Sequence, residues 1–259
     1  MVGIYAIVDE FYGLILKKIE LGELATVFQN AKQKPSFSQV QESHIVQAVK
    51  LFSSDDLERD LNEMPKIDYT LYTNESLGIE LFHSGISHKN IEDILISLQQ
   101  ADRLCSWYKS EDSKKVCGRI PSENEVVSHI ILPIFLGLGW SHQQIAVEWN
   151  KVDVAFFKKT PTIEENCVMV LEAKGHGKPL GRVLEQPLGY VKKLVLGNVV
   201  YILVTDGENL FVYDKKESER SSNPKPVGYI NIRSLQKEYV LPKNTNPVDT
   251  LVKLQPNLV

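Results

Sequence analysis

The stretch CVMVLEAK, residues 167–174, constrains this chain more than any other. An apolar run of strand length ends in a carboxylate and an amine, then enters the glycine-flanked turn Gly175-His176-Gly177. Val168, Val170 and Leu171 read as a strand buried in a sheet. Residues i and i+2 of a strand share a face, so Glu172 and Lys174 stand side by side at its tip. Lys and Glu are rarely fully buried unless paired. The strand therefore either leaves the core through a charged rim or carries a site at its end.

A second acid bears on that choice. Asp153 interrupts the apolar run KVDVAFF, between Val152 and Val154, and points to the face opposite theirs. If the two strands pair, Asp153 comes close to Glu172. Adjacent carboxylates repel and raise each other's pKa, and a hard divalent cation removes that penalty. Mg²⁺ takes one or two carboxylates together with waters and a phosphate oxygen. Such an ion acidifies a bound water and offsets charge on a phosphate. A neighbouring lysine orients or deprotonates that water and stabilises the pentacovalent phosphate. Asp153, Glu172 and Lys174 thus meet the needs of phosphodiester hydrolysis with Mg²⁺, or Mn²⁺ in its place. By spacing alone the pattern is weak, because a surface Glu–Lys pair on a strand gives the same letters. His176 reads as an exposed loop histidine outside the catalytic set, and Gly175 and Gly177 as turn residues.

The rest of the chain divides by pattern. Apolar positions Ile91, Ile94, Leu95, Leu98, Ala101 and Leu104 recur at helical spacing after an N-cap at Ser87. Residues 44–52 and 53–64 are shorter helix candidates, and 67–82 is ambiguous, with a hairpin as one reading. The polar stretch 110–122 marks a boundary between a mostly helical N-terminal region, 1–115, and a second domain, 119–259. In that domain 123–138 reads as a helix kinked at Pro133. QQIAVEWN, KVDVAFF and CVMVLEAK follow as strands, 180–196 as a helix, and VVYILVTDGENLFVYDK as two strands around a tight turn. One helix between the third and fourth strands implies a mixed sheet with helices on its faces.

Charge is unevenly spread. Residues 1–100 hold 15 acidic against 8 basic side chains, and residues 101–259 hold 18 against 21. Within 151–193 there are 8 basic and 5 acidic residues, including Lys158, Lys159, Lys178, Arg182, Lys192 and Lys193, a flank suited to phosphates. The N-terminal run is broken by Asp9 and Glu10 and lacks a basic start, so no secretory leader is expected. No apolar run nears the ~18–20 residues of a membrane span. The three cysteines have no metal-ligand or redox spacing, which fits a cytoplasmic, reducing setting.

Taken in order, SENEVVSHIILPIFLGLGW, VDVAFF, VMVLEAKG, EQPLGY and YILVTDGENLFVYD resemble the N-terminal nuclease domain of type I restriction enzyme R subunits, a branch of the PD-(D/E)xK superfamily. The resemblance spans residues 119–215. It implies an α+β or α/β fold with a restriction-endonuclease-like mixed central sheet flanked by helices, and Mg²⁺-dependent cleavage of DNA. It implies that Asp153, Glu172 and Glu123 surround the metal and that Lys174 serves catalysis. Glu125 is the alternative helix carboxylate. Gln186 and Tyr190 take the place of a Q-x-x-x-Y helix near the DNA, with Lys178 and Arg182 beside it. Because Pro187 follows Gln186, that helix is expected to begin at Pro187 with Gln186 at its cap. No Walker-type loop occurs: Pro179 occupies the Ser/Thr position of GHGKPLG. The expectation is a cutting module without the ATP-driven motor, working with other restriction-modification subunits. The rival expectation is a module that binds DNA or a partner without cutting.

Overall fold

The computed structural model describes the backbone of residues 3–10 and 13–20, and residues 70–110, 121–178, 180, 183–221, 224–239 and 245–259. The chain forms two compact units, Met1–Ile67 and Asp68–Val259.

In the first unit, β1 (Gly3–Glu10) and β2 (Gly13–Glu20) pair antiparallel from Gly3↔Glu20 to Glu10↔Gly13. The region 1–115, expected to be mostly helical, thus carries a strand pair at 3–20 besides the helices that follow it. Ile4, Tyr5, Ile7 and Val8 are residue types that favour strands. The helix candidates at 44–52 and 53–64 lie outside the described residues.

The second unit begins well before the polar stretch 110–122. Among its described residues, 70–82, the ambiguous segment 67–82 forms no hairpin. Its C-terminal part is α1 (Asn74–His83), nucleated by a capping box in which Thr73 and Ser76 each accept the other's backbone N–H. Helix α2 (His88–Lys109) starts at Ser87 as its spacing predicts and buries Ile91, Ile94, Leu98 and Ala101, while Leu95 and Leu104 are only partly covered.

The segment 123–138 forms three pieces: α3 (Glu123–Val126), a π-turn (Val127–Ile131) and α4 (Leu132–Gly137). Pro133 has no N–H to give and its ring collides with the carbonyl four residues back. The chain answers by widening one turn rather than by a simple kink, and Leu132 N–H bonds to Val127 O. Helix α2 crosses α4 closely. A Cβ on Gly137 would stand 3.0 Å from the backbone of Asp93 and Ile94, and Ser97 Oγ donates to Pro133 O at 3.0 Å.

Then come β3 (Ile145–Trp149), β4 (Val152–Phe157), β5 (Cys167–Ala173), α5 (Glu185–Lys193), β6 (Tyr201–Thr205) and β7 (Asn209–Asp214). After these, α6 (Lys215–Arg220), β8 (Gly228–Asn231) and α7 (Pro247–Lys253) extend the unit beyond the elements read from sequence. The six strands form one sheet in the order β3-β4-β5-β6-β7-β8. Only β5 and β6 are parallel, across the α5 connection, and every other pair is antiparallel. The fold is thus α+β, a mixed sheet covered by helices on both faces.

The two faces make two cores. Val154, Phe156, Met169, Leu171, Leu203 and Val212 pack under the helices α1–α4 and α7. Here Phe135 and Trp140 stack on Phe156 at 4.4 and 5.2 Å between ring centres. Ala155, Phe157, Val170 and Ile202 point the other way and pack against Val191, Leu196 and Val199 on and after α5. Among the described residues no helix is long and apolar enough to cross a membrane.

Candidate active site

Strand parity decides where the polar residues go. Asp153 shares a face with Ala155 and Phe157, and Glu172 with Val170, so both point to the α5 side of the sheet. One step beyond the Val154↔Leu171 pair, the β4–β5 register sets Asp153 opposite Glu172. The Asp153 carboxylate accepts a hydrogen bond from Ala173 N–H at 2.7 Å.

Glu172 is 1% exposed. Lys174 Nζ donates to Glu172 Oε1 at 2.7 Å and lies 3.6 Å from Glu123 Oε1. It also reaches Gln186 Oε1 at 3.5 Å, and Gln186 Nε2 donates to Tyr190 OH at 3.3 Å. Six sequence-predicted residues therefore meet: Asp153, Glu172, Lys174, Glu123, Gln186 and Tyr190.

Local structure explains each arrival. Glu123 opens α3, whose N-terminus is closed by a capping box between Ser122 and Glu125. Glu125 accepts from Ser122 N–H at 2.8 Å and is thereby engaged in the cap, so Glu123 is the helix carboxylate that meets Lys174. Gln186 departs from its expected place. Helix α5 begins at Glu185, and of the residues before it the described ones, Leu180, Val183 and Leu184, are not helical. Pro187 sits inside the first turn, where N–H groups have no helical partner to lose. Gln186 and Tyr190 are then one turn apart on the same helix face.

The turn after β5 needs its glycines. Gly177 has φ of 70°, and a Cβ on Gly175 would meet Pro121 O at 3.1 Å. Lys178 is exposed on that turn, and Arg182 lies outside the described residues. His176 corrects the sequence reading. It is 7% exposed, stacked on Tyr108 of α2 at 5.5 Å, and neither ring nitrogen makes a hydrogen bond of ordinary geometry. The ring was misread because its cover comes from a helix about seventy residues earlier, which no local pattern reports.

The electrostatics are unbalanced. Burial pushes the Glu172 carboxyl up to about 7 against the opposing Lys174 hydrogen bond, and the charges of Asp153 and Glu123 add to the rise. Asp153 is also raised, first by burial, with its Ala173 hydrogen bond opposing and the Glu123 and Glu148 charges adding. Burial works against charge on Lys174, but its bonds to Glu172 and the charges of Glu123 and Asp153 win and hold its ammonium above the usual range. One ammonium thus faces three carboxylates. Glu172 Oε2 is buried with no hydrogen-bond partner, a costly state for a charged oxygen.

A divalent cation fits that orphaned oxygen and the charge deficit around it, with Asp153, Glu172 and Glu123 as the residues to hold it. Among the described residues no three His, Cys, Asp or Glu side chains stand as a ready-made metal cluster.

Comparison with protein-family models, with curated proteins and with solved structures finds no match to this chain.

Proposed function

We propose that the chain is a Mg²⁺-dependent deoxyribonuclease module with a restriction-endonuclease-like core, similar to the nuclease domain of type I restriction R subunits. The observation that carries this reading is the buried, unpartnered Glu172 Oε2 beside Asp153, with Lys174 at 2.7 Å from the other oxygen of the same carboxylate. Core packing has no use for such a group, whereas phosphodiester hydrolysis does.

Each residue has a role in that chemistry. Asp153, Glu172 and Glu123 would hold the cation, and the Ala173 N–H fixes the Asp153 carboxylate in direction. When bound, the cation supplies an acidified water and offsets charge on the scissile phosphate. Lys174 is held as an ammonium, so in its resting form it is a donor rather than a base. It orients the attacking water and stabilises charge building on the phosphate oxygens. Gln186 bonds to both Lys174 and Tyr190, and so ties the helix that faces the DNA strand to the reacting centre. Lys178, Lys192 and Lys193 are exposed and would supply phosphate contacts. Partner subunits of a restriction-modification system would supply the motor.

Supercoiled plasmid and single-stranded DNA incubated with Mg²⁺ test the reading. The wild type should nick or cut, EDTA should stop it, and Asp153→Ala, Glu172→Ala and Lys174→Ala should each abolish product. Binding of DNA with no Mg²⁺-dependent product, or equal cutting by wild type and all three variants, would reject it.

A further inference from the structure

Glu148 has no role in the chemistry described so far. It stands on β3 between the pairs Val147↔Val154 and Trp149↔Val152, the register position opposite Asp153. Asp153 in turn faces Glu172 on β5. Glu148, Asp153 and Glu172 therefore occupy one row across three neighbouring strands. Like charges directly opposite on a sheet destabilise it, so the row calls for something that offsets it.

Two further features single out Glu148. Its φ is 55°, a left-handed conformation that disfavours any residue carrying a Cβ. It falls where the side-chain alternation of β3 breaks, since Ala146 and Trp149, three residues apart, pack against the same face of the sheet. Asn150 and Lys151, with φ of 49° and 76°, already make the two-residue reversal, and Glu148 lies outside it. Second, its carboxylate is held by an amide rather than an ammonium. Asn124 Nδ2 donates to Glu148 Oε1 at 3.1 Å, from the residue next to Glu123. An amide directs a carboxylate without neutralising it. Asn124 thus holds an exposed carboxylate at the register position opposite Asp153, whose neighbour on β5, Glu172, carries the unpartnered Oε2.

We infer that Glu148 is a fourth carboxylate of the divalent-cation site, acting at its solvent-open edge directly or through a water; this rests on the nuclease reading above. Asn124 is the positioning residue that couples Glu148 to the helix carrying Glu123.

Mn²⁺ titrated calorimetrically into the full chain, without DNA, tests the inference apart from activity. The wild type should bind. Glu148→Gln keeps the shape and the Asn124 acceptor but loses the charge, and should bind roughly tenfold more weakly. Glu148→Gly relieves the left-handed backbone and should lose the same affinity while melting no lower than the wild type. Equal Mn²⁺ affinity of wild type and Glu148→Gln overturns the inference and leaves the nuclease reading standing. A wild type that binds no Mn²⁺, like Glu172→Ala, overturns the nuclease reading itself.

Discussion

Lys174 Nζ sits 2.7 Å from Glu172 Oε1 and 3.6 Å from Glu123 Oε1, and so bridges the tip of β5 and the first turn of α3. A single ammonium between two carboxylates, with Asp153 as a third nearby, leaves net negative charge in a place where Glu172 is buried. The folded chain stores this as a cost, because a buried charge without full compensation destabilises whatever holds it.

That cost predicts a trade between stability and function. Glu172→Gln removes the buried charge and keeps the side-chain shape. In EDTA at pH 8 it should melt a few degrees higher than the wild type and should give no Mg²⁺-dependent cleavage. The sign follows from the direction of the shift. A carboxyl raised from about 4.5 to about 7 contributes stability at low pH and loses it as pH rises through that window, so at pH 8 the full penalty applies. Thermal melts of both proteins in EDTA check it. A lower melting temperature for Glu172→Gln would mean that the Lys174 bond outweighs the cost of burial.

Much of the site was legible before the structure because parity on a strand is local. Asp153 between two valines, and Glu172 two residues from Lys174, could be assigned a common face from the letters alone. Ser87 and the i, i+3, i+4 apolar spacing likewise fixed α2. What escaped was non-local or depended on backbone angles. Glu148 looks like any rim glutamate until its φ and the hairpin register are known. Thr73 and Ser76 form a cap that competes with the apolar alternation of 67–82, and the cap wins over 74–83. The Gln186-Pro187 step was read as a helix start, yet the first helical turn tolerates proline, so α5 begins two residues sooner.

The buried His176 ring carries a pH dependence separate from the carboxylate cluster. Burial lowers its pKa, while Asp206 and Glu208, from the turn between β6 and β7, oppose that fall. Lys109 of α2 adds to the lowering, though it is itself paired with Glu208 at 2.5 Å. Tyr108 covers the ring and meets His129 through its hydroxyl at 3.3 Å. A depressed histidine contributes stability above its unfolded pKa of about 6.5 and loses it as pH falls toward the folded value. The urea midpoint of the wild type should therefore drop between pH 7.5 and 5.5. His176→Phe, which fills the same pocket beside Tyr108 and cannot titrate, should flatten part of that drop. An equal drop in both proteins would show that other groups drive it.

The last prediction concerns the crossing of α2, which precedes the polar segment 110–122, with α4, which follows it. Gly137 ends α4 where α2 crosses, and a Cβ there would meet the Asp93 carbonyl carbon and the Ile94 nitrogen at 3.0 Å and the Asp93 oxygen at 3.1 Å. Backbone atoms cannot swing aside as a flexible side chain does. Alanine is the better helix former by about 1 kcal/mol, so propensity alone predicts a gain from Gly137→Ala. Overpacking typically costs about 1–3 kcal/mol, and here it acts on two helices at once. Gly137→Ala should therefore destabilise the unit by about that amount, read as a lower urea midpoint with an unchanged slope. Gly189 of α5, where an added Cβ meets nothing within 4 Å, is the matched control: Gly189→Ala should be neutral or stabilising. If both substitutions stabilise equally, α2 does not press on α4 as closely as the crossing implies.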